Sequence, residues 1–148
     1  MDNNTVKLHR VIRCKPEKLY KAYLDPAAMC KWLPPNGFTG SVDHVDARVG
    51  GTYKMSFTTF GSGQVQSFGG EYLELVPNEK IVHTDKFDDA NLSGEMTTTI
   101  TFKEVSVGTE LNVVQEGIPA AIPAEMCYLG WQESLTLLTL LVEANIPV

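Results

Sequence analysis

The chain has 148 residues, a formal net charge of −6, and 43% apolar against 20% charged residues. One domain of ordinary globular composition fits that length, and it can bury roughly 68–70% of its unfolded surface without staples. The acidic balance and the lack of any Lys/Arg run argue against nucleic acid, whose binders need a basic patch to neutralise phosphates. The densest basic cluster, Lys15, Lys18 and Lys21, reads as the solvated face of a helix.

Three scattered cysteines, Cys14, Cys30 and Cys127, form no CxxC or Cys/His spacing. No zinc site is expected, and a reduced, cytoplasmic setting fits. The polar stretch MDNNTVKLHR predicts no signal peptide, and no apolar run approaches about 18 residues, so no membrane span is expected.

In chain order, TVKLHRVIR (5–13) is rich in β-branched residues and predicts a strand. Pro16 suits the first position of a helix over PEKLYKAYL, with Leu19, Tyr20 and Tyr23 on its apolar side. Asp25-Pro26 ends that helix, and Asp25 caps a second, shorter one over PAAMCKWL. Pro34-Pro35-Asn36-Gly37 is turn chemistry. Six strands follow: FTGSVDHVDA; TYKMSFTTF, with Tyr53, Met55 and Phe57 alternating onto one face; QVQSFGGEYLELV; KIVHTDKF; EMTTTITFKEV, with Met96, Thr98, Ile100 and Phe102 sharing a face; and TELNVVQE, with Leu111, Val113 and Gln115 on one side. Gly69-Gly70 predicts a bulge or strong bend. The last helix begins near Pro123. One apolar row holds Trp131, Leu135, Leu138 and Val142, a second Cys127, Gly130, Leu137 and Leu141, and together they are wider than the stripe of a surface helix.

Strand, two helices, six strands and a long helix predict an antiparallel meander whose one face is covered by the last helix. A sheet bent by Gly50-Gly51 and Gly69-Gly70 around one helix leaves space between them.

Catalytic motifs are sparse. His9, His44 and His83 lie on three different predicted strands without metal-ligand spacing, so no metal is expected. His83 shares a face with Ile81 and Phe87 and is expected to point inward, as a satisfied core histidine or as a general base. Gln115 also faces inward and needs partners. Asp85, Asp88 and Asp89 are read as separated by turns or outward-facing, and no serine sits in a GxSxG elbow. No nucleotide cradle is present.

Several strings in order resemble one family: Pro16-Glu17-Lys18-Leu19-Tyr20, Asp25-Pro26 with Trp32-Leu33-Pro34, Arg48-Val49-Gly50-Gly51-Thr52-Tyr53, Gly70-Glu71-Tyr72-Leu73-Glu74-Leu75-Val76-Pro77, Gly108-Thr109-Glu110-Leu111 and Gly130-Trp131. The chain resembles the START-like (SRPBCC, Bet v 1-like) helix-grip superfamily, and within it the bacterial proteins grouped with the carboxyl-terminal domain of the activator of the Hsp90 ATPase. The resemblance implies an α+β fold over residues 1–148, with a curved antiparallel sheet of six to seven strands wrapped around the carboxyl-terminal helix. It also implies a cavity between them for a small hydrophobic or amphipathic molecule, no cofactor, and a homodimer. Joined to the strand alternation, it predicts a lining of Trp32, Tyr53, Met55, Phe57, Phe68, Tyr72, His83, Phe87, Met96, Thr98, Ile100, Val113, Gln115, Met126, Gly130, Trp131 and Ser134. A binding protein is the leading expectation. A cofactor-independent cyclase, hydrolase or isomerase using the same cavity, and a protein-interaction module related to Hsp90 co-chaperone domains, are the alternatives.

Overall fold

The computed structural model describes residues 4–146. Its elements are β1 (Thr5–Ile12), α1 (Pro16–Leu24), α2 (Pro26–Trp32), β2 (Phe38–Val45), β3 (Thr52–Thr59), β4 (Val65–Val76), β5 (Lys80–Phe87), β6 (Met96–Val105), β7 (Gly108–Glu116) and α3 (Ala124–Val142). A single 3-10 turn, Ala90–Leu92, lies in the loop between β5 and β6. The strands form a seven-stranded antiparallel sheet in the order β1-β7-β6-β5-β4-β3-β2. The meander is continuous from β2 to β7, and β1 returns to pair with β7. This is the α+β helix-grip arrangement that the resemblance implies. Among the described residues, no helix is long and apolar enough to cross a membrane.

Local chemistry sets the boundaries. Pro16 opens α1, where its missing N–H is harmless and its fixed φ already helical. Asp25 ends α1 and caps α2, its side chain accepting from the Ala27 amide at 2.9 Å. In β6 and β7 the alternation is clean: Met96, Thr98, Ile100 and Phe102 are buried, as are Thr109, Leu111, Val113 and Gln115. Period-two burial of this kind places one sheet face against the helices and leaves the other to water.

The core is built unevenly along α3. Its second half contributes Leu135, Leu138 and Val142, which join Ile12, Ile100, Leu111 and Val113 in the dry interior. At ~25 cal/mol per Å² of apolar area removed from water, this end holds the helix to the sheet. The first half is held differently. Ser134 Oγ donates to the Leu33 carbonyl at 2.6 Å, and the Asn36 amide donates to Glu133 at 3.2 Å. Helix α3 comes closest to β1, α1 and α2, so its first half stands off the middle strands. Trp32, fully buried, locks α1 to α2 by donating to the Ala22 carbonyl at 2.9 Å and packing edge-on to Tyr23 at 4.7 Å.

The β4–β5 ladder carries the main distortion. Pairing runs through Gly69↔Lys86, resumes in the same register at Tyr72↔His83, and shifts between Tyr72 and Glu74. In the interval the Glu71 amide donates to the Thr84 hydroxyl at 2.9 Å instead of to a backbone carbonyl. Thr84 and Asp85 are both buried, which breaks the alternation of β5. The register shift thus lies at Tyr72–Glu74, beyond the expected Gly69-Gly70, and what Gly70 permits is the close approach of the Thr84 backbone. A Cβ on Gly70 would stand 1.7 Å from the Thr84 carbonyl oxygen. We expect Gly70→Ala to lower unfolding free energy by about 3 kcal/mol in urea denaturation, through overpacking against backbone that cannot yield.

Candidate functional site

Between the first half of α3 and strands β3–β5 lies a cavity of about 190 Å³ that opens to solvent. For scale, an apolar cavity of ~150 Å³ takes up benzene. Its walls come from nearly every element. Helix α1 and the α2 region supply Tyr23, Met29, Leu33 and Pro35; β3 and β4 supply Tyr53, Phe57, Phe68 and Tyr72; α3 supplies Cys127, Gly130, Trp131 and Ser134. Phe57, Phe68 and Phe87 form an edge-to-face series with centroids 4.8 and 6.1 Å apart. Such packing gives rigid apolar walls.

One side of the cavity is polar. Ile81, His83, Asp85 and Phe87 alternate along β5 and all line the space. The Asp85 carboxylate is the centre of this cluster. Its Oδ1 accepts from the Tyr53 hydroxyl and from His83 Nδ1 at 3.1 Å, and its Oδ2 accepts from the Thr98 hydroxyl at 2.5 Å. Thr98 Oγ1 in turn accepts from Gln115 Nε2 at 3.3 Å, and Gln115 Oε1 accepts from Trp131 Nε1 at 3.0 Å. The indole can only donate, which fixes the Gln115 amide oxygen toward it and the nitrogen toward Thr98. Every donor in the chain thus points toward Asp85. The Thr84 carbonyl, released by the ladder break, is 3.4 Å from the Tyr53 hydroxyl and 3.1 Å from His83 Nδ1. Tyr23 is the exception to this satisfaction. Its hydroxyl lies buried without a hydrogen-bond partner among the described residues, an omission that costs ~1–3 kcal/mol.

Of the expected lining, Tyr53, Phe57, Phe68, Tyr72, His83, Phe87, Met96, Gln115, Gly130, Trp131 and Ser134 are brought together around the cavity. Trp32, Met55, Ile100 and Val113 are not. They have no exposed surface and belong to the solid core, which strand parity alone cannot tell from a cavity wall. Thr98 stands behind Asp85 as its hydrogen-bond donor. Met126 is 61% exposed and faces solvent, one helical position away from the wall residue Cys127. Asp85 corrects the outward reading: it is 5% exposed and belongs to the site. The signal was available, because Asp85 keeps step with Ile81, His83 and Phe87. Tyr23, Met29, Leu33 and Pro35 also line the space, and they enter through the docking of α1 and α2, which no periodicity reveals. His9 and His44 lie apart from the site, near Glu110 at 3.3 Å and Thr52 at 3.0 Å respectively.

The cluster is strongly polarised. Burial is the largest influence on Asp85 and would raise its pKa. The His83 charge and the bonds from His83, Thr98 and Tyr53 outweigh it, and the carboxyl is held below its ordinary 3.8. Burial is likewise the largest influence on His83 and would lower it, but the Asp85 charge and bonds to Asp85 and the Thr84 carbonyl win, raising the imidazole above 6.5. Burial, then the Asp85 charge, raises the Tyr53 phenol well above its usual value. The raised histidine contributes stability that is complete below about pH 6.5 and is lost as pH climbs through its folded value. The lowered aspartate contributes stability that is present above about pH 4 and is lost as pH falls through its folded value. We therefore expect urea-unfolding free energy to decline as pH rises above about 6.5 in the native chain, and this decline to flatten in His83→Gln.

The model of the "Activator of Hsp90 ATPase homolog 1-like protein" family matches residues 13–143. A crystal structure of a Chromobacterium violaceum protein is similar at 60% identity and TM-score 0.95, over 96% of this chain and 99% of that one. More distant in sequence are a Rhodobacter sphaeroides protein, at 20% identity and TM-score 0.82 over 95% and 92% of the two chains, and an AHSA1-like protein from Aeromonas hydrophila, at 17% identity and TM-score 0.76 over 94% and 92%. These last two likenesses show the fold alone. None of the curated proteins matches the chain significantly. The match across most of its length places the chain in the Activator of Hsp90 ATPase homolog 1-like family.

Proposed function

We propose that the chain is a binding protein for a small apolar or amphipathic molecule held between α3 and the sheet. The observation that carries this reading is the open cavity itself, apolar on most sides and polar only at the Asp85 cluster. Apolar walls with a few fixed polar groups are the usual make-up of small-molecule sites. The wall gives hydrophobic driving force, and the polar side gives orientation.

Further features accord with this reading. The three cysteines are unpaired, as expected of a reducing, cytoplasmic setting. Helix α3 presents Met126, Leu129 and Leu140, each more than half exposed, which supports the homodimer implied by the resemblance.

Gly130 supplies the test. It lines the cavity, and a Cβ added there would meet no atom within 4 Å. Leucine at this position fills open space and improves the helix, glycine being ~0.8–1.0 kcal/mol worse than alanine within a helix. We expect Gly130→Leu to be at least as stable as the native chain and to lose binding of the apolar dye 1-anilinonaphthalene-8-sulfonate, which the native chain should take up with a change in Trp131 fluorescence. Native mass spectrometry of the purified chain should show a carried-over small molecule that the variant lacks. Equal dye uptake by both proteins would place the ligand elsewhere and overturn the reading.

A further inference from the structure

His83 has one ring nitrogen committed and one at liberty. Both neighbours of Nδ1, Asp85 Oδ1 and the Thr84 carbonyl, only accept hydrogen bonds, each at 3.1 Å. Nδ1 therefore carries a hydrogen in both charge states, and Nε2 is the atom that gains and loses a proton. Nε2 has no hydrogen-bond partner among the described residues, and the ring lines the cavity. The carboxylate behind it is held by Tyr53 and Thr98 and fixes the tautomer and plane of the ring. An imidazole oriented in this way, with its free nitrogen facing an apolar space, is built to take and return a proton.

Other chemistry finds little support in the same walls. Ser134 Oγ is spent on the Leu33 carbonyl, and burial raises the Cys127 thiol, which keeps it a poor nucleophile. Among the described residues Asp85 is the only carboxylate in the lining, so no opposed pair stands there for glycoside cleavage.

We propose that His83 Nε2 is a catalytic base that shifts a proton on an apolar carbonyl compound bound in the cavity, with Asp85 positioning the imidazole. The proposal rests on the binding reading above and adds a reaction to it. In the first half, the C–H bond next to the carbonyl breaks and an N–H bond forms on Nε2. The electron pair left on carbon enters a C=C bond, and the carbonyl π pair moves onto oxygen. In the second half, the imidazolium returns the proton to the same carbon or, in an unsaturated ketone, to the carbon two further along. Nothing is oxidised or reduced, and no co-reactant is consumed. The imidazolium formed midway is paired with Asp85, so the cavity never holds an isolated positive charge.

The titratable groups around the ring are Asp85 on its own strand, Tyr53 from β3, Tyr72 from β4, Tyr23 from α1 and Cys127 from α3. The phenols and the thiol are raised above their usual values and Asp85 is lowered, so none of them is moved toward neutrality and His83 is left as the group whose charge the pH profile follows. The test uses the full chain with β-tetralone in deuterium oxide, following loss of the protons next to the carbonyl by NMR. Binding is followed separately by Trp131 fluorescence. We expect exchange ~10²-fold or more above the buffer rate, rising with pH to a plateau as Nε2 is freed. His83→Gln should abolish the enhancement. Binding without enhanced exchange, or an enhancement that survives in His83→Gln, would overturn the proton-transfer role and leave the binding reading in place. If neither the ketone nor the dye enters the cavity, both readings fall.

Discussion

A single carboxylate, that of Asp85, sets the terms for half of this molecule. Placing an ion in an apolar interior costs several kcal/mol unless donors surround it. Here they are drawn from across the fold: Tyr53 from β3, His83 from the same strand, and Thr98 from β6, itself supported by Gln115 from β7 and Trp131 from α3. No local segment could supply that set. The charge is tolerable only once the sheet has its register and the helix has been laid across it, so the cluster reports correct assembly as well as orienting whatever enters the cavity.

Two different kinds of contact divide α3. Its leucine-rich half is fixed by apolar burial, which is non-directional and forgives small shifts. Its first half is fixed by hydrogen bonds at Glu133, Ser134 and Trp131, which do not. That division keeps the helix at a distance from β3–β5 instead of collapsing onto them. Gly130, with open space where a side chain would be, sits on the cavity side of the stand-off.

Much of this was legible in the residues. The order of elements followed from turn chemistry and period-two alternation. Gly69-Gly70 marked the stretch of β4 where the ladder is interrupted, and alternation put His83 and Gln115 on the covered face of the sheet. What parity could not do was separate depth from direction. Met55, Ile100 and Val113 point to the same side as Tyr53 and Gln115, yet lie where the layers close tightly. Asp85 reads as outward when grouped with Asp88 and Asp89 near the turn, yet it keeps step with Ile81, His83 and Phe87 along β5. Tyr23 and Met29 depend on how two short helices dock, a tertiary fact with no periodic trace.

The break between β4 and β5 has a mechanical side. Where Thr84 turns its carbonyl toward the cavity, the ladder lacks the regular rungs that tie neighbouring strands elsewhere in the sheet. The interruption is local, with pairing at Phe68 and Gly69 on one side of it and from Tyr72 to Val76 on the other. The cavity straddles it, with Tyr53 and Phe68 on one bank and His83 and Gln115 on the other. The sheet thus gives up regular pairing at one point and gains there a backbone acceptor fixed beside His83 and Tyr53.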